Sequence, residues 1–140
     1  MEYSEILIVS SFSPGYPERE IISICEASAP GPLATIGGIL LYANGSFMQL
    51  IEGDTQSVQV AYENVRTAAW HFDIHILLNE KIEARRCEGW GFSHVPLGKR
   101  IDTQSQSSPH YFPFKKREIK QRVKKGDARY VLKTFIDTNR

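Results

Sequence analysis

Ile36-Gly37-Gly38-Ile39-Leu40-Leu41-Tyr42-Ala43-Asn44-Gly45-Ser46-Phe47-Met48-Gln49-Leu50-Ile51-Glu52-Gly53 is the stretch that organises this chain. Asn44-Gly45 separates two apolar runs. Asn-Gly is the strongest short hairpin signal, because a type I′ turn needs positive φ at both central residues. The first arm, 36–42, is nearly all apolar. The second arm alternates, so Phe47, Gln49 and Ile51 share one face and Met48 and Leu50 the other. Gln49 is therefore a polar side chain in the middle of a buried strand. A buried amide must find hydrogen-bond partners or cost stability.

The rest of the chain supports a single compact domain with a sizeable core. It has 140 residues, 41% hydrophobic and 24% charged, which are the proportions of a soluble globular protein. A formal net charge of +1 gives no overall bias towards nucleic acid or membranes. Cys25 and Cys87 stand far apart in apolar settings. They make neither a disulfide framework nor a metal-ligand spacing, and a reduced, cytoplasmic location is expected. No apolar run approaches the ~20 residues of a membrane span.

Working outward from the hairpin, residues 4–11 read as a buried strand around Ile6-Leu7-Ile8-Val9. Residues 18–29 have helical apolar spacing at 21, 22, 24, 25 and 29, and Pro30-Gly31-Pro32 stops that helix. After the hairpin, Asp54 or Thr55 caps a helix to about residue 69, with Val58, Ala61, Val65 and Ala68 in one stripe. Residues 72–78 form a strand with Ile74, Ile76 and Leu78 on one face, Asn79-Glu80-Lys81 a turn, and 82–92 a more polar strand. The order βαββαββ predicts an α+β, ferredoxin-like fold, an antiparallel sheet with both helices on one face. Residues 1–97 form this domain, and 98–113, rich in Ser, Gln and Pro, read as a linker. Residues 114–140 hold a basic helix and a last helix with Val131, Leu132, Phe135 and Ile136 on its apolar face. This C-terminal helical extension is expected to cap the free face of the sheet.

Catalytic and metal signatures are weak. His71 and His75 would lie roughly 13 Å apart along a strand, too far for one metal ion. No metal is expected. His71, at a helix-to-strand junction where a helix C-terminus favours a cation, reads as structural. No phosphate loop and no Ser/His/Asp or Cys/His arrangement stands out, and the protein is not expected to be an enzyme. The basic run 115–125 reads as a solvated helix face, and nucleic-acid binding is the minority reading.

Taken together, several motifs resemble the BLUF family of flavin-based blue-light sensors. They are Gly38-x-Leu40-Leu41-Tyr42, Gly45-x-Phe47-x-Gln49-x-Ile51-Glu52-Gly53, Val58 to Val65 followed by His71, and Ile82-x-x-Arg85-x-Cys87-x-x-Trp90. The likeness extends over about residues 4–95. It implies an FAD ring inserted between the two helices. It also implies a tyrosine on the first strand as electron donor, and a glutamine on the third strand, here Gln49, joining tyrosine to flavin. If flavin is bound, Gln49, Ser10, His71, Trp90, Ile8 and Phe92 are the expected contacts.

Several positions depart from the pattern. Ile8 occupies the tyrosine position, and the stretch 28–32 lacks the asparagine that holds the flavin's pyrimidine edge. Ile36-Gly37-Gly38 replaces Ile-Thr-Gly, and Ala68-Ala69-Trp70-His71 replaces Asp-x-Arg-His. Cys87 stands for a phenylalanine and Phe92 for a methionine. The leading expectation is a sensory or regulatory protein without the normal photocycle, with Trp70 filling the cleft. It would act through an unidentified downstream protein and as a homo-oligomer, away from membranes. An FAD-binding photoreceptor with altered chemistry, using Trp90 or Trp70 as electron donor, is the first alternative. A small-molecule or nucleic-acid binding module is the second. If no flavin is present, Ser10 and Trp90 are the expected partners of the Gln49 amide.

Overall fold

The computed structural model describes residues 2–29, 35–87, 89–95 and 108–139. Its elements in order are β1 (Tyr3–Phe12), a 3-10 turn (Glu18–Glu20), α1 (Ile21–Ala27), β2 (Ile36–Ala43), β3 (Ser46–Asp54) and α2 (Thr55–Arg66). There follow β4 (His71–Ile82), β5 (Trp90–His94), α3 (Lys116–Arg122) and α4 (Asp127–Asn139). Among the described residues one five-stranded sheet runs β4-β1-β3-β2-β5. This is the expected α+β, ferredoxin-like arrangement, with a C-terminal pair of helices.

The hairpin β2–β3 forms the centre as its sequence requires. Asn44 and Gly45 have φ of 52° and 82°, the two positive values of a type I′ turn, and Ala43 pairs with Ser46 across it. Alternation along β3 then sorts the core. Met48 and Leu50 join Leu7, Ile39, Leu41, Leu132, Phe135 and Ile136 beneath α3 and α4. Phe47 and Ile51 face the other way, towards α1 and α2. Asp54, rather than Thr55, caps α2, its carboxylate accepting the Ser57 N–H at 3.1 Å. Thr55 instead shares a hydroxyl hydrogen bond with Ser4, at 2.6 Å.

Five expectations are corrected. The sheet is mixed, because β5 runs parallel to β2. Asn79-Glu80-Lys81 does not turn; it continues β4, paired with Ile6, Glu5 and Ser4 of β1. Backbone pairing along a neighbour overrides the local turn signal there. The expected strand 82–92 is reduced to Trp90–His94, and Arg86-Cys87 instead reaches the end of α3, with Cys87 bridging Val123. Ile74, Ile76 and Leu78 do not share a face. Register shifts between Leu7 and Ile8, and between Val9 and Ser11, mark bulges in β4. Ile74 packs on the α2 side and Leu78 on the opposite side. The first helix is also shorter than 18–29, and its expected stop at 30–32 lies outside the described residues.

Of the linker expected at 98–113, residues 98–107 lie outside the described residues. Beyond them the chain runs along β5. Phe92 donates its N–H to His110 O and accepts from the Phe112 N–H, at 2.9 and 3.0 Å. Phe112 is buried in the α3–α4 core.

Candidate functional site

One row of side chains crosses the sheet beneath α1 and α2. Ile8 of β1 pairs with Gln49 of β3, Gln49 with Leu40 of β2, and Leu40 with Phe92 of β5. Residues opposite one another in register share a face, so these four point into the two-helix layer. That layer is split. Under α1, Ile21, Ile22 and Cys25 pack on Leu40, Tyr42, Phe47, Trp90 and Phe92. Under α2, Val58, Ala61 and Val65 pack on Ile6, Ile8, Ile36 and Ile51. Gln49 lies in the row between the two clusters. Its amide is 1% exposed, and neither Oε1 nor Nε2 has a hydrogen-bond partner. Trp90 Nε1, on the same face, is a second buried donor without an acceptor. Satisfying such groups is close to obligatory in folded proteins, so this row between the two clusters is the candidate site.

The expectation that Ser10 and Trp90 serve Gln49 is corrected. Ser10 is engaged with His71, its Oγ 2.7 Å from Nδ1, while His71 Nε2 lies 2.6 Å from the Val65 carbonyl at the end of α2. A carbonyl only accepts, so Nε2 carries the proton and Nδ1 accepts from Ser10. Burial lowers the His71 pKa against the opposing pull of that carbonyl. His71 is thus a neutral structural tie between α2, β4 and β1, rather than a cation at the helix end. Trp70 stacks on it, with ring centroids 3.9 Å apart and planes at 21°, and meets Phe47 edge-on at 4.7 Å. The Trp70 indole therefore covers the β1–β4 end of the layer. His75 is exposed and bonds Asp73 at 2.9 Å.

Among the described residues no group of three or more His, Cys, Asp or Glu is placed to hold a metal ion. No helix there is long and apolar enough to cross a membrane.

The opposite face carries a polar array, buried at Glu5 and Glu52 and exposed at Glu80, that the sequence reading did not find. Glu5 pairs with Glu52 on one side and with Glu80 on the other, aligning three carboxyls across β3, β1 and β4. Glu52, fully buried, accepts from Arg85 Nε at 2.7 Å, from the Arg86 N–H at 2.7 Å and from the Cys87 N–H at 2.6 Å. Glu5, also fully buried, has Arg86 Nη1 at 3.6 Å. Burial, then the Glu80 carboxyl beside it, raises the Glu5 pKa to about 7, against the pull of Arg86. A glutamate at an inward strand position, followed by Arg-Arg after the next strand, is the signal that marks this array in the sequence.

The family described as "Sensors of blue-light using FAD" (BLUF) matches residues 4–93, and the chain belongs to it. Among solved structures, BlrB, a BLUF protein in its dark state, is 29% identical with a TM-score of 0.58, over 67% of this chain and 72% of that one. BlrP1 of Klebsiella pneumoniae, complexed with calcium and cyclic diGMP, gives 19% identity and a TM-score of 0.69 over 96% of this chain. A bacterial light-regulated adenylyl cyclase gives 24% and 0.55 over 74%. The last two are likenesses of fold, and this chain spans about a third of their length (34% and 31%). No curated protein matches the chain.

The family's flavin can be tested against the cleft. The orphaned amide of Gln49 fits the polar edge of a flavin. Ile8, opposite it, has no hydroxyl and packs among Ile6, Ile51 and Val58. The asparagine position of the family falls in 28–32, of which 30–32 lie outside the described residues. The row therefore has an amide able to bond the ring edge, while position 8 lacks the phenol that the family's pattern pairs with that amide.

Proposed function

We infer that this is a BLUF-family sensory protein in which the tyrosine–glutamine photocycle does not operate, and which acts by binding another protein. The observation that carries this reading is the pairing of Ile8 with Gln49, which puts a saturated side chain where the cycle needs an oxidisable phenol. The interaction part of the reading is supported by β4, an edge strand with Phe72, Ile76 and Leu77 exposed at 50%, 45% and 44%. Edge strands with apolar side chains are surfaces that proteins either protect or use. The related light-regulated adenylyl cyclase carries this fold within a much longer chain. In the present protein the output passes to a cytoplasmic partner, with self-association through the same edge, and the protein is not itself an enzyme.

The test is the absorbance of the purified protein, before and after reconstitution with excess FAD, in the dark and under blue light. The expected result is no persistent light-induced red shift. A reversible red shift would overturn the reading.

One observation favours a second reading. Gln49 and Trp90 both present unpartnered polar atoms on the cleft side of the sheet. A protein that retains FAD through Gln49, with the Trp90 indole as oxidisable neighbour, accounts for them. Stoichiometric flavin in the purified protein, with a light response abolished by Trp90→Phe, is what this second reading predicts.

A further inference from the structure

A cavity lies on the other side of the sheet from α1 and α2. Its volume is about 310 Å³, and it is lined by Arg85, Arg86, Lys120, Gln121, Arg122, Val123 and Lys124. Two chain segments remote in sequence build it. Glu52 pins the first by accepting the backbone N–H groups of Arg86 and Cys87. The second, the end of α3, is tied to the first by the Cys87–Val123 bridge and by the Lys124 N–H donating to Arg86 O at 2.8 Å. The cavity walls are therefore held by backbone, not by surface side chains alone.

Five cationic residues line this space, and only three of them have a carboxylate within 4 Å among the described residues. Glu52 engages Arg85, while Glu5 approaches Arg86 and Glu118 approaches Arg122 only at 3.6 and 3.7 Å. Lys120 and Lys124 have no ion-pair partner among the described residues. Arg122 is fixed by its guanidinium lying 4.3 Å over the Phe112 ring, yet its Nε–H is buried without an acceptor.

We propose that this cavity binds the phosphate groups of a small phosphorylated molecule, with Arg86, Lys120, Arg122 and Lys124 as its anchors. Arginine forks match phosphate oxygens in pairs, and lysines add point charge. A volume near 300 Å³ is at the small end of ligand pockets, enough for a diphosphate with part of its organic moiety. Nucleic acid fits less well, because the charges close on one cavity and its lining residues include no aromatic ring for bases to stack on. The site is independent of whether flavin occupies the cleft.

The experiment is calorimetric titration and thermal melting of the full chain with inorganic phosphate, pyrophosphate and ADP, at low and at physiological salt. Pyrophosphate and ADP are expected to raise the melting temperature by several degrees and to bind at least tenfold more weakly to the Lys120→Gln/Lys124→Gln variant. The Arg66→Gln/Lys81→Gln variant, which makes the same charge change elsewhere, is expected to bind as the parent does. Absence of heat and of stabilisation with all three probes overturns the proposal. So does equal loss in both variants, which means diffuse electrostatics. Tighter binding to single-stranded RNA, or to vesicles containing phosphatidic acid, than to pyrophosphate also overturns it, by giving the phosphate a polymeric or lipid source.

Discussion

Ile8 and Gln49 lie directly opposite each other on β1 and β3, with both side chains on the face that carries α1 and α2. One is a saturated hydrocarbon 1% exposed, the other an amide 1% exposed with no partner for either polar atom. The neighbour that should satisfy the amide is thus the one that cannot. Three of the following expectations concern this row or the carboxylate row behind it, and the last concerns the open edge.

Restoring a phenol at position 8 tests the pairing directly. In Ile8→Tyr the ring must fit among Ile6, Ile36, Ile51 and Val58, an overpacking that costs about 1–3 kcal/mol. The hydroxyl then has Gln49 opposite it. The variant is expected to melt several degrees lower than the parent and, once reconstituted with FAD, to show a light-induced absorbance shift that the parent lacks. Difference spectroscopy under blue light reads the outcome, and a variant that binds FAD without any shift would contradict it.

Gln49 itself reports whether the cleft is filled. Each buried polar atom left unsatisfied costs about 1–3 kcal/mol, so in ligand-free protein Gln49→Met removes that penalty at similar volume. Stabilisation of about 1–2 kcal/mol is expected in urea denaturation. Loss of stability instead would mean that the amide already has a bound partner in the purified protein.

Glu5 makes stability depend on pH. Its pKa rises from 4.5 to about 7 on folding, so the folded state holds the proton more tightly than the unfolded chain. Stability from this group is fully present below about pH 4.5 and is lost as pH rises to about 7. The loss is on the order of 3 kcal/mol. Glu5→Gln, which cannot titrate, is expected to be close to the parent at pH 4 and more stable than it at pH 8. Denaturation midpoints of the two proteins across pH 4–8 measure the difference, and parallel curves would refute the assignment.

Self-association through β4 should fail when its apolar edge is charged. Ile76 and Leu77 are nearly half exposed, so Ile76→Lys/Leu77→Lys removes little core packing. Sedimentation analysis is expected to show a lower oligomeric state than the parent at equal concentration, with an unchanged melting temperature. An unchanged sedimentation profile would move the interface elsewhere.

The hairpin, the inward position of Gln49 and the cover of the second face by Leu132, Phe135 and Ile136 were all legible in the sequence. Each follows from a local rule: positive φ at Asn-Gly, alternation along a strand, and helical spacing of apolar residues. The substitution of Ile8 for a tyrosine was legible as well, through the resemblance to the BLUF pattern, and the strand pairing then set Ile8 opposite Gln49. Other features were settled only by the tertiary structure. The bulges in β4 depend on pairing with β1, and they moved Leu78 away from Ile74. The parallel pairing of β5 depends on β2 having a free edge. Ser10 was lost to Gln49 because His71, fixed by the Val65 carbonyl, reaches it first. The Glu5–Glu52–Glu80 row and the cationic cavity join residues that are remote in sequence and meet only when the sheet closes. Local pattern fixes which face a side chain takes, but only the closed sheet decides which neighbour it meets there.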